Sequence, residues 1–190
     1  MLLNHKTNEK VTAIAIYGQS HEISEIFPSF YEKCKDIFIE LKYKFNYLSI
    51  DSENFKDGKI KTVSRFEKKM IEEITNKNQV RSICFFSLPE NFRNCGFDYD
   101  VSIEWNKNFL LFTFSNSVNK IITNQIINDF RIFFEIDKVE IFKMSRKECP
   151  WIYVLGVNPK SSFKSLKILK IITKEDIKKT MYWYSKNDGW

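Results

Sequence analysis

The sequence predicts an α+β or mixed α/β fold. Its core is one mixed β-sheet of about six to seven strands, with a parallel N-terminal part, antiparallel hairpins and three to four helices packed against it. Two observations carry this. The first is the stretch from Asp98 to Ser115. There Val101, Ile103 and Trp105 alternate with Ser102, Glu104 and Asn106, and Leu110, Phe112 and Phe114 alternate with Leu111, Thr113 and Ser115. Period two places alternate side chains on opposite faces, so the stretch reads as a β-hairpin with one apolar face that a further layer must cover. Asn106-Lys107-Asn108 supplies its turn, because Asn tolerates the left-handed backbone of short loops. The second observation is the order strand, helix, strand, helix, strand before Pro89, the pattern of right-handed crossovers and parallel strands.

Taken in order, residues 1–10 read as a loose terminus and residues 11–190 as one domain. VTAIAIY, Val11 to Tyr17, is apolar enough for an interior strand, ended by Gly18-Gln19-Ser20. Ile23, Ile26, Phe30, Cys34, Ile37 and Leu41 recur at helical spacing, with a start near Ser24 or Phe27 because Pro28 belongs in a first turn. A second strand spans Phe45 to Ile50, and Lys59 to Val63 reads as a short edge piece. Ser64 and Glu67 then form a capping box ahead of a helix that turns Phe66, Met70, Ile71 and Ile74 inward. The third strand is Gln79 to Leu88.

After the hairpin, Ser117 caps a helix carrying Val118, Ile121, Ile122, Ile126, Phe130 and Phe133 on its buried side. Lys138 to Met144 and WIYVLGV, Trp151 to Val157, read as a strand pair. Ser162 to Ile172 has Lys about every third residue, which matches neither a strand nor an amphipathic helix. Lys174 to Tyr184 reads as a last helix.

Hydrophobic residues make up 43% of the chain and aromatic residues 16%, which excludes a disordered class. The formal net charge of +6 favours acidic partners. Twenty-five of the thirty basic residues are Lys, however, as an A/T-rich coding sequence would give, whereas nucleic-acid readout prefers the planar fork of Arg. Cys34, Cys84, Cys95 and Cys149 are widely spaced and read as reduced thiols outside any zinc motif. Leu2-Leu3 is followed at once by Asn4-His5-Lys6, and no apolar run reaches membrane-span length, so the expected location is the cytoplasm, with no membrane partner.

Chemistry-bearing groups are few. His21 follows the first strand and is the one plausible catalytic histidine, with Ser20 beside it; a hydrolase or transferase would need it to converge with the Asp98 and Asp100 pair. Neither G-x-x-x-x-G-K-[ST] nor G-x-G-x-x-G is present, and no cofactor or metal site is expected. Asp98, Asp100 and Glu104, with Tyr99 and Trp105 beside them and Lys107 in the turn, make a charged and aromatic contact set suited to a basic partner. The run of Lys160, Lys164, Lys167, Lys170, Lys174, Lys178 and Lys179 is a candidate stripe for nucleic acid. Tyr182, Trp183, Tyr184 and Trp190 are candidate interface anchors.

With strands such as VTAIAIY and WIYVLGV, the hairpin DYDVSIEWNKN and no complete catalytic set, the chain resembles the small bacterial immunity proteins that neutralise polymorphic or secreted toxins. The resemblance implies a non-catalytic protein that covers a cognate toxin's active site or substrate surface. Nucleic-acid binding through the Lys-rich C-terminal region is the alternative, and a small hydrolase using His21 with Asp98 and Asp100 is a third reading.

Overall fold

Eight strands hydrogen-bond into one sheet in a computed structural model that describes residues 9–56, 58–115 and 120–179, with Lys120 described through its backbone alone. The strands are β1 (Lys10–Ser20), β2 (Tyr47–Ser52), β3 (Lys61–Thr62), β4 (Val80–Ser87), β5 (Val101–Asn106), β6 (Phe109–Phe114), β7 (Phe134–Ser145) and β8 (Lys167–Thr173). Their spatial order is β3-β2-β4-β5-β6-β1-β7-β8.

Every neighbouring pair is antiparallel, which corrects the expected parallel N-terminal part. The crossovers themselves are real. The alternation of directions makes β1 and β2 co-directional, but β6, β5 and β4 lie between them, and β2 lies between the co-directional β3 and β4. Helical connections thus join strands of like direction that never pair.

The helices also exceed the expected three to four. Among the described residues there are six: α1 (Ile23–Glu40), α2 (Val63–Thr75), α3 (Cys95–Asp98), α4 (Lys120–Phe130), α5 (Pro150–Leu155) and α6 over residues 174–179. The first five residues of WIYVLGV, Trp151 to Leu155, belong to α5, and the segment is not a strand. Pro150 at its first turn and Gly156 in the left-handed C-cap, φ 69°, bracket it as helix brackets do. The strand that pairs with β7 is β8, whose Lys167 and Lys170 stand on the sheet's outer edge, where charge discourages further pairing.

In α1, Pro28 lies inside the helix. An interior proline costs about 3 kcal/mol, offset here by burial of Phe27, Phe30, Tyr31, Cys34, Ile37 and Phe38 along one stripe. Ile71 of α2 and Ile121 of α4 point outward, 38% and 75% exposed, against the expected inward faces.

The Asp98–Ser115 hairpin is present as expected, turned by Lys107-Asn108, with Asn106 Oδ1 accepting from the Asn108 amide at 3.0 Å. Its second strand is buried on both faces, not one. Leu110, Phe112 and Phe114 join the core under α1, α2 and α4, while Phe109 and Leu111 pack with Ala13, Ala15, Phe142 and α5 on the opposite face. The proposed Ser117 cap, His5 and the C-terminal aromatic residues Tyr182, Trp183, Tyr184 and Trp190 lie outside the described residues.

Candidate functional site

The described structure opens a cavity of about 610 Å³ at the β3 edge of the sheet, between α2 and the loop after β2. Its cationic lining consists of Lys56, Lys59, Lys61, Arg65 and Lys69, and no carboxylate lines it among the described residues. Tyr47, Phe55 and Phe66 give it an aromatic floor.

Local sequence explains each wall. β3 has two residues, pairing Tyr47 with Thr62 and Leu48 with Lys61, and α2 starts at once. Arg65 and Lys69 are four residues apart on α2, so they share the helix side that faces the cavity, and Lys61 of β3 precedes them on the same lining. The opposite wall is tied down by Glu73, which is 5% exposed. Its carboxylate accepts from Ser52 Oγ (2.6 Å), from the Asn54 amide (3.3 Å) and side chain (3.1 Å), and from Asn78 Nδ2 (2.8 Å). Burial by itself would raise the Glu73 carboxyl, but these donors outweigh it and hold it below the usual range.

The start of α2 differs from the capping box read in the sequence. Thr62 is the N-cap, its side chain makes no capping bond, and the first turn has no acidic residue. Glu67 turns away to accept from Tyr31 Oη at 2.6 Å, joining α2 to α1. The Val63 amide donates to the Asn46 carbonyl at 3.0 Å, while Thr62 Oγ1, on the cavity side, is buried without a partner. Lys56, Lys61, Arg65 and Lys69 are exposed and make no ion pair among the described residues. Lys61 and Arg65 flank the positive end of α2, and with Lys56 and Lys69 on the same lining they make a cationic spot that favours an anion.

The residues singled out in the sequence fall elsewhere. Trp105 is 2% exposed and donates from Nε1 to Ser20 Oγ at 3.0 Å; Tyr99 is 3% exposed beneath Arg146. Asp98, Asp100 and Glu104 are half-buried, and Asp98 accepts from the Arg93 and Asn94 amides at 2.8 and 2.9 Å. Of the six contact candidates, Lys107 alone is fully exposed.

His21 adjoins Ser20, which bonds to Trp105 and to the Lys107 carbonyl, near the hairpin turn; Asp98 and Asp100 precede the first residue of β5, at its other end. Six residues of strand, roughly 20 Å, separate those ends, so the His21 and Asp98/Asp100 constellation is not assembled. Two lysines of the Lys run are held by carboxylates. Lys160 and Lys138 pair with buried Glu140 at 3.5 and 3.0 Å, and Lys174 pairs with Asp137 at 3.3 Å.

Buried Glu140 went unread in the sequence, and Glu104, read there as a contact residue, faces cysteine thiols instead. Glu140, 1% exposed, also accepts from Tyr153 Oη at 2.8 Å and Tyr17 Oη at 3.3 Å, pinning α5 and the following turn to the sheet. Glu104 stands opposite Cys84 in the β4–β5 register, and its charge acts on Cys95 and Cys149 as well. Burial, with Glu104 adding to it, raises all three thiols, so they stay protonated and weakly nucleophilic. Among the described residues no group of three or more His, Cys, Asp or Glu side chains is placed to hold a metal ion, and no helix is long and apolar enough to cross a membrane.

Comparisons of the chain with protein-family models, with curated proteins and with solved structures found no match.

Proposed function

We propose that this protein is an immunity-type inhibitor, which binds a cognate bacterial toxin by protein–protein contact and performs no reaction itself. The observation that carries the reading is the β3-edge groove, with five cations, no lining carboxylate among the described residues and an aromatic floor. A cavity of about 610 Å³ lies within the range of pre-formed recognition sites. Its charge makes the contacted face of the partner acidic, the reverse of what the Asp98, Asp100 and Glu104 set led the sequence to favour. Opposed potentials of this kind steer encounter and fix register, while the aromatic floor supplies apolar contact area.

The test is growth rescue. The product of the adjacent gene is expressed from an inducible promoter, with the wild-type chain or with a Lys61→Glu/Arg65→Glu/Lys69→Glu variant. Wild type restores growth and retains the toxin on co-purification, and the reversed variant does neither while keeping its circular-dichroism spectrum. A harmless neighbour, or equal rescue by the reversed variant, removes the reading.

A further inference from the structure

Where the groove meets the start of α2, its chemistry is more specific than its charge. Helices gain stability from an N-cap acceptor and from acidic residues in the first turn, because the leading N–H groups have no intrahelical acceptor. α2 has neither, and Lys61 and Arg65 flank the spot where the acceptor belongs, with Lys69 farther along the same cavity lining. Thr62 Oγ1 is buried there without a hydrogen-bond partner.

We propose that a carboxylate from an acidic, extended segment of the partner protein completes this helix end, docking at the α2 N-terminus between Thr62 and Arg65. The inference rests on the groove being the partner contact. A peptide is favoured over a nucleic acid because the aromatic residues are already engaged edge to face. Phe55 meets Phe66 at 5.0 Å and 88°, and Tyr47 meets Phe92 at 5.0 Å and 73°, so the rings form a packed floor and not a series of open stacking platforms.

Thr62→Asp supplies the missing carboxylate in cis and provides the experiment. In the free protein this substitution raises Tm by about 2–5 °C, as a newly satisfied cap beside a helix dipole should. Fluorescein-labelled hexaglutamate and hexathymidylate, titrated by polarisation at low salt, serve as probes. Wild type binds hexaglutamate more tightly than hexathymidylate. Thr62→Asp and, as a second variant, Arg65→Ala each weaken hexaglutamate about tenfold or more, roughly a loss of 1.4 kcal/mol.

Tighter binding of the oligonucleotide, undiminished peptide binding by both variants, no measurable peptide binding by wild type, or a lowered Tm for Thr62→Asp overturns the proposal. Growth rescue is scored separately. A harmless neighbouring protein with the peptide and Tm results intact removes the immunity reading and leaves the helix-capping site standing.

Discussion

Glu73 on α2 accepts a 2.6 Å hydrogen bond from Ser52 Oγ at the end of β2, and through it the loop that walls the groove is fastened to the helix that carries the groove's cations. Two donors from Asn54 and one from Asn78 complete the carboxylate's coordination. Glu73→Ala leaves buried donors unsatisfied and lowers stability by about 2–3 kcal/mol. Glu73→Gln keeps the shape but replaces an acceptor oxygen with a donor among donors, so it costs about as much. Urea titration measures both, and hydrogen exchange across residues 52–56 reports release of the wall. Unchanged protection there in Glu73→Ala would show that the loop is held by other means.

The other carboxylate with a clear signature is Glu104. Burial pushes it up from 4.5 to about 7, with the Ser102 hydroxyl, at 3.0 Å, pulling the other way. The sign follows from proton counting. Between the unfolded and folded values the native state holds a proton the unfolded chain has released, so stability from this group is full below about 4.5 and is lost as pH rises towards about 7. Glu104→Gln removes the titration. Relative to wild type, its stability is higher at about pH 8 than at about pH 5, by roughly 2 kcal/mol in denaturant midpoints converted with a common slope. Parallel pH profiles for the two proteins would rule out an elevated Glu104.

Glu73 and Glu104 also mark what sequence reading could reach. The Asp98–Ser115 hairpin was legible because alternation is a local property, and the strands around Leu48 and Phe85 were legible for the same reason. Neighbour relations were not. Nothing local to β1 and β2 says that three strands will lie between them, so in sequence co-directional crossovers are indistinguishable from paired parallel strands.

WIYVLGV reads as a strand because seven residues are too few for period two and period 3.6 to separate, although Pro150 and Gly156 bracket a helix. The groove did leave a local trace. Lys56, Lys59, Lys61, Arg65 and Lys69 crowd a stretch of fourteen residues, but the Lys run after Pro159 is longer and gives the stronger local signal. Partners 20 or more residues apart, such as Glu73 with Ser52, have no local signal.

Gly18 sets the end of β1. Its φ of 155° coincides with the bulge against β7, and a Cβ there would lie 2.1 Å from the Glu135 carbonyl oxygen, a backbone atom with little room to move. The Gly18 amide donates to the Asn108 carbonyl at 3.1 Å and the Ser20 amide to that of Lys107 at 2.8 Å, so the bulge also seats the hairpin turn. Gly18→Ala lowers stability by about 2–4 kcal/mol, through backbone strain plus displacement of β7. Chemical denaturation measures it, and a loss under about 1 kcal/mol would mean that β7 shifts away easily.

Arg146, fully buried, supports the segment that enters the central hairpin. Its Nη1 donates to the Phe97 carbonyl at 3.2 Å and to that of Tyr99, its guanidinium lies 4.3 Å from the Tyr99 ring centre, and Glu9 Oε2 is 3.8 Å from Nε. Nε and Nη2 have no hydrogen-bond partner, so the residue carries a desolvation cost that its contacts only partly offset. Two substitutions separate the contributions. Arg146→Ala removes the carbonyl donor, the ring contact and the volume together, and costs about 3–5 kcal/mol. Arg146→Met retains most of the apolar stem and removes the buried charge, so its loss is smaller, about 1–2 kcal/mol, arising from the two carbonyls left without a donor. Faster amide exchange from Asp98 to Val101 in both variants would locate the effect at the hairpin entrance. An Arg146→Met protein as unstable as Arg146→Ala would mean that the hydrogen bonds outweigh the packing, and one more stable than wild type would mean that the desolvation cost dominates.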